Sequence, residues 1–321
     1  MKNISKIILL VFSLAQGFTG LTQDTQYSQF YSNPLYLNPA FAGNNVCPVV
    51  RVNFRNQWSG INGNYKTYGV SYDKYISNIS GGFGMLLSHD QSGMGSLSTT
   101  TLNILYAYTA NLTKTISFKA GFQFGAFQNS VDWDKLEFAD MFDGTSNLAQ
   151  TSNETQPNTA SYGIDISAGG IIYSDMFFGG VSVHHLTEPE QNLFGYSDSK
   201  LKRRYSFHAG GNIEPSSNLD DLVISPNILA DFQGDFKQVN VGCYVDYKSF
   251  VIGGWYRHKE ALIFLVGFDY NNFKIGYSFD YTISTLGFIN SLGAHEISCA
   301  YKFKCKPGKR RKYRTASCPQ F

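Results

Sequence analysis

Histidine, serine and cysteine are the residues here that could do chemistry, and the chain holds six His and five Cys. His184 and His185 are adjacent, so on a strand they point to opposite faces and cannot share a site. Ser206 and His208 lie two apart and share a face, while Asp165 sits on a separate segment. These are the residue types of a Ser–His–Asp hydrolase, but such triads are defined by geometry and no spacing here brings the three into register. The HExxH, Gly-rich phosphate-loop and CxxC patterns are absent. The expectation is a protein that is not an enzyme and has no cofactor or metal.

Three other groups invite a chemical reading. Asp132, Asp134, Glu137, Asp140 and Asp143 form an acidic stretch, but their offsets do not match a calcium loop. A solvated loop or a partner-contact surface fits them better. After Glu296 there are no acids and eight bases, among them Lys309, Arg310, Arg311 and Lys312. Such a tail is a solvated arm or an electrostatic contact for a periplasmic partner or anionic surface. Cys243 and Cys299 sit in apolar rows. Cys47, Cys305 and Cys318 cluster near one rim, where one disulfide is expected. Cys305–Cys318, closing the tail, is the first choice, and Cys47 and Cys305 flank the seam between the first and last strands.

The elements that must position these groups are strands. In Phe273–Ser284 the odd positions are Phe, Ile, Tyr, Phe, Tyr and Ile, and the even ones are small, polar or charged. Side chains alternate across a strand, so this stretch has one apolar and one polar face. Its length suits a tilted membrane-crossing strand, which needs about 9–11 residues. The same rhythm recurs at Val50–Trp58, Tyr65–Asp73, Gly81–His89, Leu97–Asn111, Thr115–Val131, Ser161–Tyr173 and Met176–Leu186. It continues at Leu201–Ile213, Leu222–Phe232, Phe236–Tyr247, Phe250–His258, Ala261–Tyr270 and Gly293–Phe303. These strands predict an all-β fold, a transmembrane antiparallel β-barrel of about 14 strands with lipid on the apolar rows. An even count puts both termini on one side, the periplasm, and the two longest connections outside. A secreted β-sandwich is the soluble alternative.

Composition agrees with the barrel. Charged residues are 16% and aromatics 16%, while mean hydropathy is only -0.20, so apolar residues are interleaved with polar ones. Residues 1–22 read as a signal peptide, with Lys2 and Lys6 ahead of the apolar run Ile7–Ala15 and cleavage before Gln23. Residues 23–48 form an irregular lead-in, 49–303 the barrel and 304–321 the basic periplasmic tail.

The lead-in QDTQYSQFYSNPLYLNPAFAG, from Gln23 to Gly43, resembles the mature start of the PorP/SprF family of outer-membrane proteins of the type IX secretion system. Gln26, Ser28-Gln29-Phe30, Asn33 and the Leu37–Gly43 run carry the likeness. Arg55-Asn56-Gln57-Trp58 and Lys135–Asp140 add to it. The resemblance implies a Bacteroidota outer-membrane barrel that assists export or surface docking of a partner substrate, such as a large adhesin of gliding motility. Implied partners are type IX machinery components, outer-membrane lipid and a peptidoglycan-binding periplasmic lipoprotein, and export excludes nucleic acid. The resemblance brings no catalytic residue. A porin or hydrophobic-solute channel is the alternative function.

Pro34 and Pro39 exclude a regular strand or helix in the lead-in, and Asn33 and Asn38 favour tight turns. An irregular segment at membrane depth must be surrounded by protein or water. The lead-in is therefore either a lumen plug or a strap at the periplasmic rim. Asn33, Pro34, Asn38, Pro39, Phe41 and Gly43, with Asp140 in the long loop, are the expected plug or partner contacts.

Overall fold

The computed structural model describes residues 24–136, 138, 141, 159–191, 200–215, 221–284 and 287–305. The first strands are β1 (Val49–Gln57), β2 (Tyr65–Ile76), β3 (Gly81–Ser92), β4 (Leu97–Asn111) and β5 (Ser117–Val131). Then come β6 (Ala160–Tyr173), β7 (Phe177–His184), β8 (Arg204–Gly211), β9 (Leu222–Gln233) and β10 (Phe236–Tyr247). The last are β11 (Phe250–Arg257), β12 (Ala261–Tyr270), β13 (Phe273–Thr282) and β14 (Ala294–Lys302). Each pairs antiparallel with its chain neighbours, and β1 pairs with β14, so the 14 strands close into a barrel. Closure leaves no unpaired strand edge in lipid. The expected strands are all present with shifted ends. β2 runs three residues further because it stays paired with β3 out to Ile76–Gly81, β3 runs three further at its other end because it stays paired with β4 out to Ser92–Leu97, and β8 starts three residues later, at Arg204.

Alternation sets the faces. On β5, Phe118, Phe122 and Phe124 are exposed, while Ser117, Lys119, Gly121 and Gln123 are buried. On β13, Ile275, Tyr277 and Tyr281 point out, and Ser278 and Asp280 point in. Tight turns join several strands at one end. Lys248 and Asn271 take left-handed φ values of 56° and 58° there, as two-residue hairpins require. This end also carries the start of β1 and the end of β14, and is called here the terminus end. The β5–β6 and β7–β8 connections lie at the other, loop end. No helix among the described residues is long and apolar enough to cross a membrane.

A disulfide joins Cys47 to Cys305 across a Cα–Cα distance of 5.5 Å. This corrects the Cys305–Cys318 pairing expected from sequence. The cause is barrel closure. Val49 stands opposite Lys302, and Phe303 N–H donates to Pro48 O at 2.9 Å, so the residues just beyond the seam meet. Cys318 lies outside the described residues. Cys243 and Cys299 are free thiols of intermediate exposure.

Candidate functional site

The lead-in is compact rather than extended. Pro34 opens a single helical turn, α1 (Pro34–Leu37), and Asn38 ends it. The Asn38 side-chain oxygen then accepts from Ala40 N–H at 2.9 Å and starts a second turn over Pro39–Phe41. This corrects the expectation that Pro34 and Pro39 exclude helix: both sit in first turns, where a missing N–H costs nothing. Tyr27–Asn45 is buried throughout except for half-buried Tyr36.

Its contacts come from all around the barrel, which places it inside the lumen. Ser32 Oγ accepts from Asn53 of β1 at 2.7 Å, and Lys119 Nζ of β5 reaches Ala42 O at 3.0 Å. Asn38 Nδ2 donates to Val181 O of β7 at 3.0 Å, Ser182 donates to Leu37 O at 2.8 Å, and Gln238 of β10 donates to Gln26 at 3.1 Å. Ser298 of β14 donates to Gln29 at 2.5 Å. The wall makes room by losing side chains. A Cβ on Gly121 would overlap the backbone of Pro39 and Ala40, and one on Gly82 would overlap Ala42 O.

Charge anchors the segment at Ser28. Asp280 Oδ2 lies 2.9 Å from Arg55 and 3.2 Å from Arg257, while Glu296 Oε2 lies 3.3 Å from Arg55. Two guanidiniums and two carboxylates thus balance in a buried cluster. Ser28 sits within it: its N–H donates to Glu296 at 2.6 Å, and its hydroxyl donates to Asp280 at 2.5 Å and accepts from Arg55 at 2.6 Å. Buried charges persist only where partners and hydrogen bonds answer them, so the cluster and Ser28 hold one another in place.

A second cluster fixes the segment's start toward the loop end. Asp24 Oδ2 lies 2.7 Å from His185 Nε2 and 3.0 Å from Arg204, and His185 Nδ1 lies 2.9 Å from Asp165. Burial disfavours charge on His185, but the Asp24 and Asp165 carboxylates outweigh it and hold its pKa up at about 9. Burial likewise opposes the Asp24 charge, and His185 and Arg204 outweigh it, keeping that carboxyl well below the usual range. Burial pushes the Tyr36 phenol up, so it stays a neutral donor to Thr25 O at 2.5 Å.

On the terminus side of both clusters an apolar core fills that half of the lumen. Phe30 meets Trp255 edge-on at 4.8 Å and Tyr31 meets Phe178 edge-on at 5.6 Å, with Leu35, Leu105, Ile171 and Leu265 buried among them. The loop-end half is an open vestibule of mixed polar and apolar lining. A cavity of about 790 Å³ is lined there by Thr67, Ser88, Thr101 and Asn103 on one side and by Asp24, His185 and Arg204 on the other.

The family model of the "Type IX secretion system membrane protein PorP/SprF" matches residues 19–301. The chain belongs to the PorP/SprF family. A closed barrel with apolar outer rows in this membrane family is an outer-membrane protein. Solved structures similar to this chain include three barrels. The Pseudomonas putida toluene transporter TodX has 9% identity over 84% of this chain and 93% of its own, with TM-score 0.49. The Ralstonia pickettii toluene transporter TbuX has 12% identity over 91% and 97%, with TM-score 0.47. Acinetobacter baumannii Omp33 has 7% identity over 80% and 99%, with TM-score 0.44. Among curated proteins none matches the chain.

In this PorP/SprF protein the structure gathers Asn33, Pro34, Asn38, Pro39, Phe41 and Gly43 inside the lumen. Asp140 lies outside the described residues. The hydrolase candidates stay apart. Ser206 donates to Asp231, His208 Nε2 faces Asn38 Nδ2 at 3.1 Å, and Asp165 is engaged with His185. The expected opposition of His184 and His185 needs correction. His185 leaves the strand with φ 58° and turns back to the lumen, so both rings line the vestibule, 6.3 Å apart. The charge cluster of Arg55, Arg257, Asp280 and Glu296 was missed. Its only signal in the sequence is that all four fall on inward rows, three of them on polar ones, while Arg257 follows Val251, Gly253 and Trp255 on its row.

Proposed function

We propose that the protein is a lumen-plugged, non-catalytic outer-membrane component of the type IX secretion system that assists export or surface docking of a secreted partner. The terminus end faces the periplasm and the loop end the exterior. The single observation that carries this reading is the lead-in, held by Arg55, Arg257, Asp280 and Glu296 through Ser28. A permanently seated segment leaves the barrel as a scaffold rather than a wide pore. The partner is a type IX substrate such as a large adhesin of gliding motility. A peptidoglycan-binding periplasmic lipoprotein and the basic tail's anionic contacts fit the periplasmic side. Residues 1–22 act as the export signal.

Affinity purification of the folded barrel from its native cells, followed by mass spectrometry, tests the reading. Co-purification of type IX machinery or a secreted substrate supports it, and recovery of neither removes it. A solute channel is the competing reading, favoured by the vestibule, and conductance separates the two.

A further inference from the structure

The vestibule's charges do not cancel as the deeper cluster's do. Four carboxylates line it: Asp24, Asp90, Asp165 and Glu260. Asp24 is answered by Arg204 and His185, Asp165 by His185, and Glu260 by Arg257 at 3.7 Å. Asp90 has only hydroxyl partners such as Thr67, and no cation among the described residues lies within ion-pair distance of it. Two further acceptors on the wall are buried without a hydrogen-bond partner, Oε1 of Gln123 and Oδ1 of Asp165. Gln123 cannot turn to satisfy its oxygen without losing the bond its amide donates to Asn103 at 3.1 Å.

We propose that this vestibule binds a lysine- or arginine-bearing stretch of the secreted polypeptide. The proposal rests on the docking role above and names the chemistry of its recognition. Four carboxylates against the two cations Arg204 and His185 leave the lining net negative, and acceptors left bare in such a cleft focus a negative potential on whatever enters. A neutral polyol would satisfy the hydroxyl ladder of Ser88, Thr101 and Thr99 yet leave the Asp90 charge unanswered. An ammonium or guanidinium group brings several donors and the missing charge together. The cavity of about 790 Å³ lies within the roughly 300–1,000 Å³ usual for ligand pockets. The Ser, Thr, Asn and Gln side chains around Asp90 can pair with the peptide backbone on either side of the cation.

The test uses the full-length barrel in detergent and Gly-Ser hexapeptides carrying two lysines, two glutamates or neither, with maltotriose as the neutral polyol. Titration calorimetry reads the affinities. The lysine peptide is expected to bind about tenfold or more tighter than the glutamate peptide at low salt, with the gap shrinking as salt rises. Asp90→Asn is expected to remove most of that preference. Gln123→Leu should weaken lysine-peptide binding without changing its salt dependence. Heat-modifiable gel migration confirms that each variant is folded, and the wild-type salt titration needs no variant. Equal binding of lysine and glutamate peptides, tighter binding of maltotriose, or an Asp90→Asn barrel that keeps the full preference would overturn the proposal. Machinery that still co-purifies when the lysine preference is absent would sink the vestibule site and leave the docking role standing. A lysine preference without recovered machinery would support the pocket and remove that role.

Discussion

Arg55 on β1 and Asp280 on β13 meet at 2.9 Å although 225 residues and the whole of β14 separate them. They reach each other over the inner face of β14, whose Glu296 joins them, and all three hold Ser28 of the lead-in. The contact that secures the lead-in therefore exists only when the barrel has closed.

Arg55→Ala leaves Asp280 with Arg257 alone and strips buried Glu296 of its one ion-pair partner among the described residues. The expected cost is on the order of 3–5 kcal/mol, the usual result of removing one partner from a buried pair. Denaturant unfolding in detergent measures it, and limited proteolysis should cut the lead-in faster. An unfolding midpoint equal to wild type would contradict the anchoring role.

Gly121 marks where wall and lead-in backbones touch. Gly121→Val places a side chain where Pro39 and Ala40 now lie, so the lead-in cannot seat. Proteolysis is expected within Tyr27–Asn45 in a barrel that still shows heat-modifiable migration. Continued protection of that stretch would show that the wall can yield.

The His185 cluster makes the seating of Asp24 depend on pH. His185 has its pKa raised from 6.5 to about 9 in the fold, so its contribution is complete below pH 6.5 and lost as pH rises through 9. That contribution is on the order of 3 kcal/mol. The lowered Asp24 carboxyl contributes above its unfolded value of 3.8 and is lost as pH falls toward its folded one. The groups facing His185 are Asp24, Asp165, His184 and Arg204, with Tyr36 joined through Arg204. A spin label at Thr25→Cys should become mobile above about pH 9 and not between pH 5 and 8. In His185→Gln it should be mobile throughout.

Cys47–Cys305 ties the exit of the lead-in to the last strand. Cys305→Ser is expected to lower stability by about 2–5 kcal/mol and to abolish the mobility shift between reduced and non-reduced gels. Cys318→Ser should do neither. A shift lost with Cys318 instead would contradict the bond at the seam.

The barrel could be read from sequence because its outer rows are set by one rule, alternation, that every strand obeys locally. Phe118, Phe122 and Phe124 face lipid for the same reason as Ile275, Tyr277 and Tyr281. The seam disulfide was legible only as one of several pairings, because strand register decides it. The charge cluster was not legible. Arg55 and Asp280 look like any inward polar residue until closure brings them together. The apolar interior did leave a trace. On β12, Leu262, Phe264 and Val266 face out while Ile263 and Leu265 face in, so both faces are apolar. A water-lined wall has no use for the inner pair, and the trace marks where the lead-in packs. His185 escaped because one left-handed residue past a strand end undoes the alternation rule.

The central claim is that the lead-in occupies and seals the lumen. Single-channel recording in planar bilayers of the wild-type protein and of a variant lacking residues 26–43 tests it most directly. The account predicts a wild type that is nearly silent and a deletion variant with a large, steady conductance. A deletion variant that folds and conducts no more than the wild type, or a wild type already wide open, would contradict it.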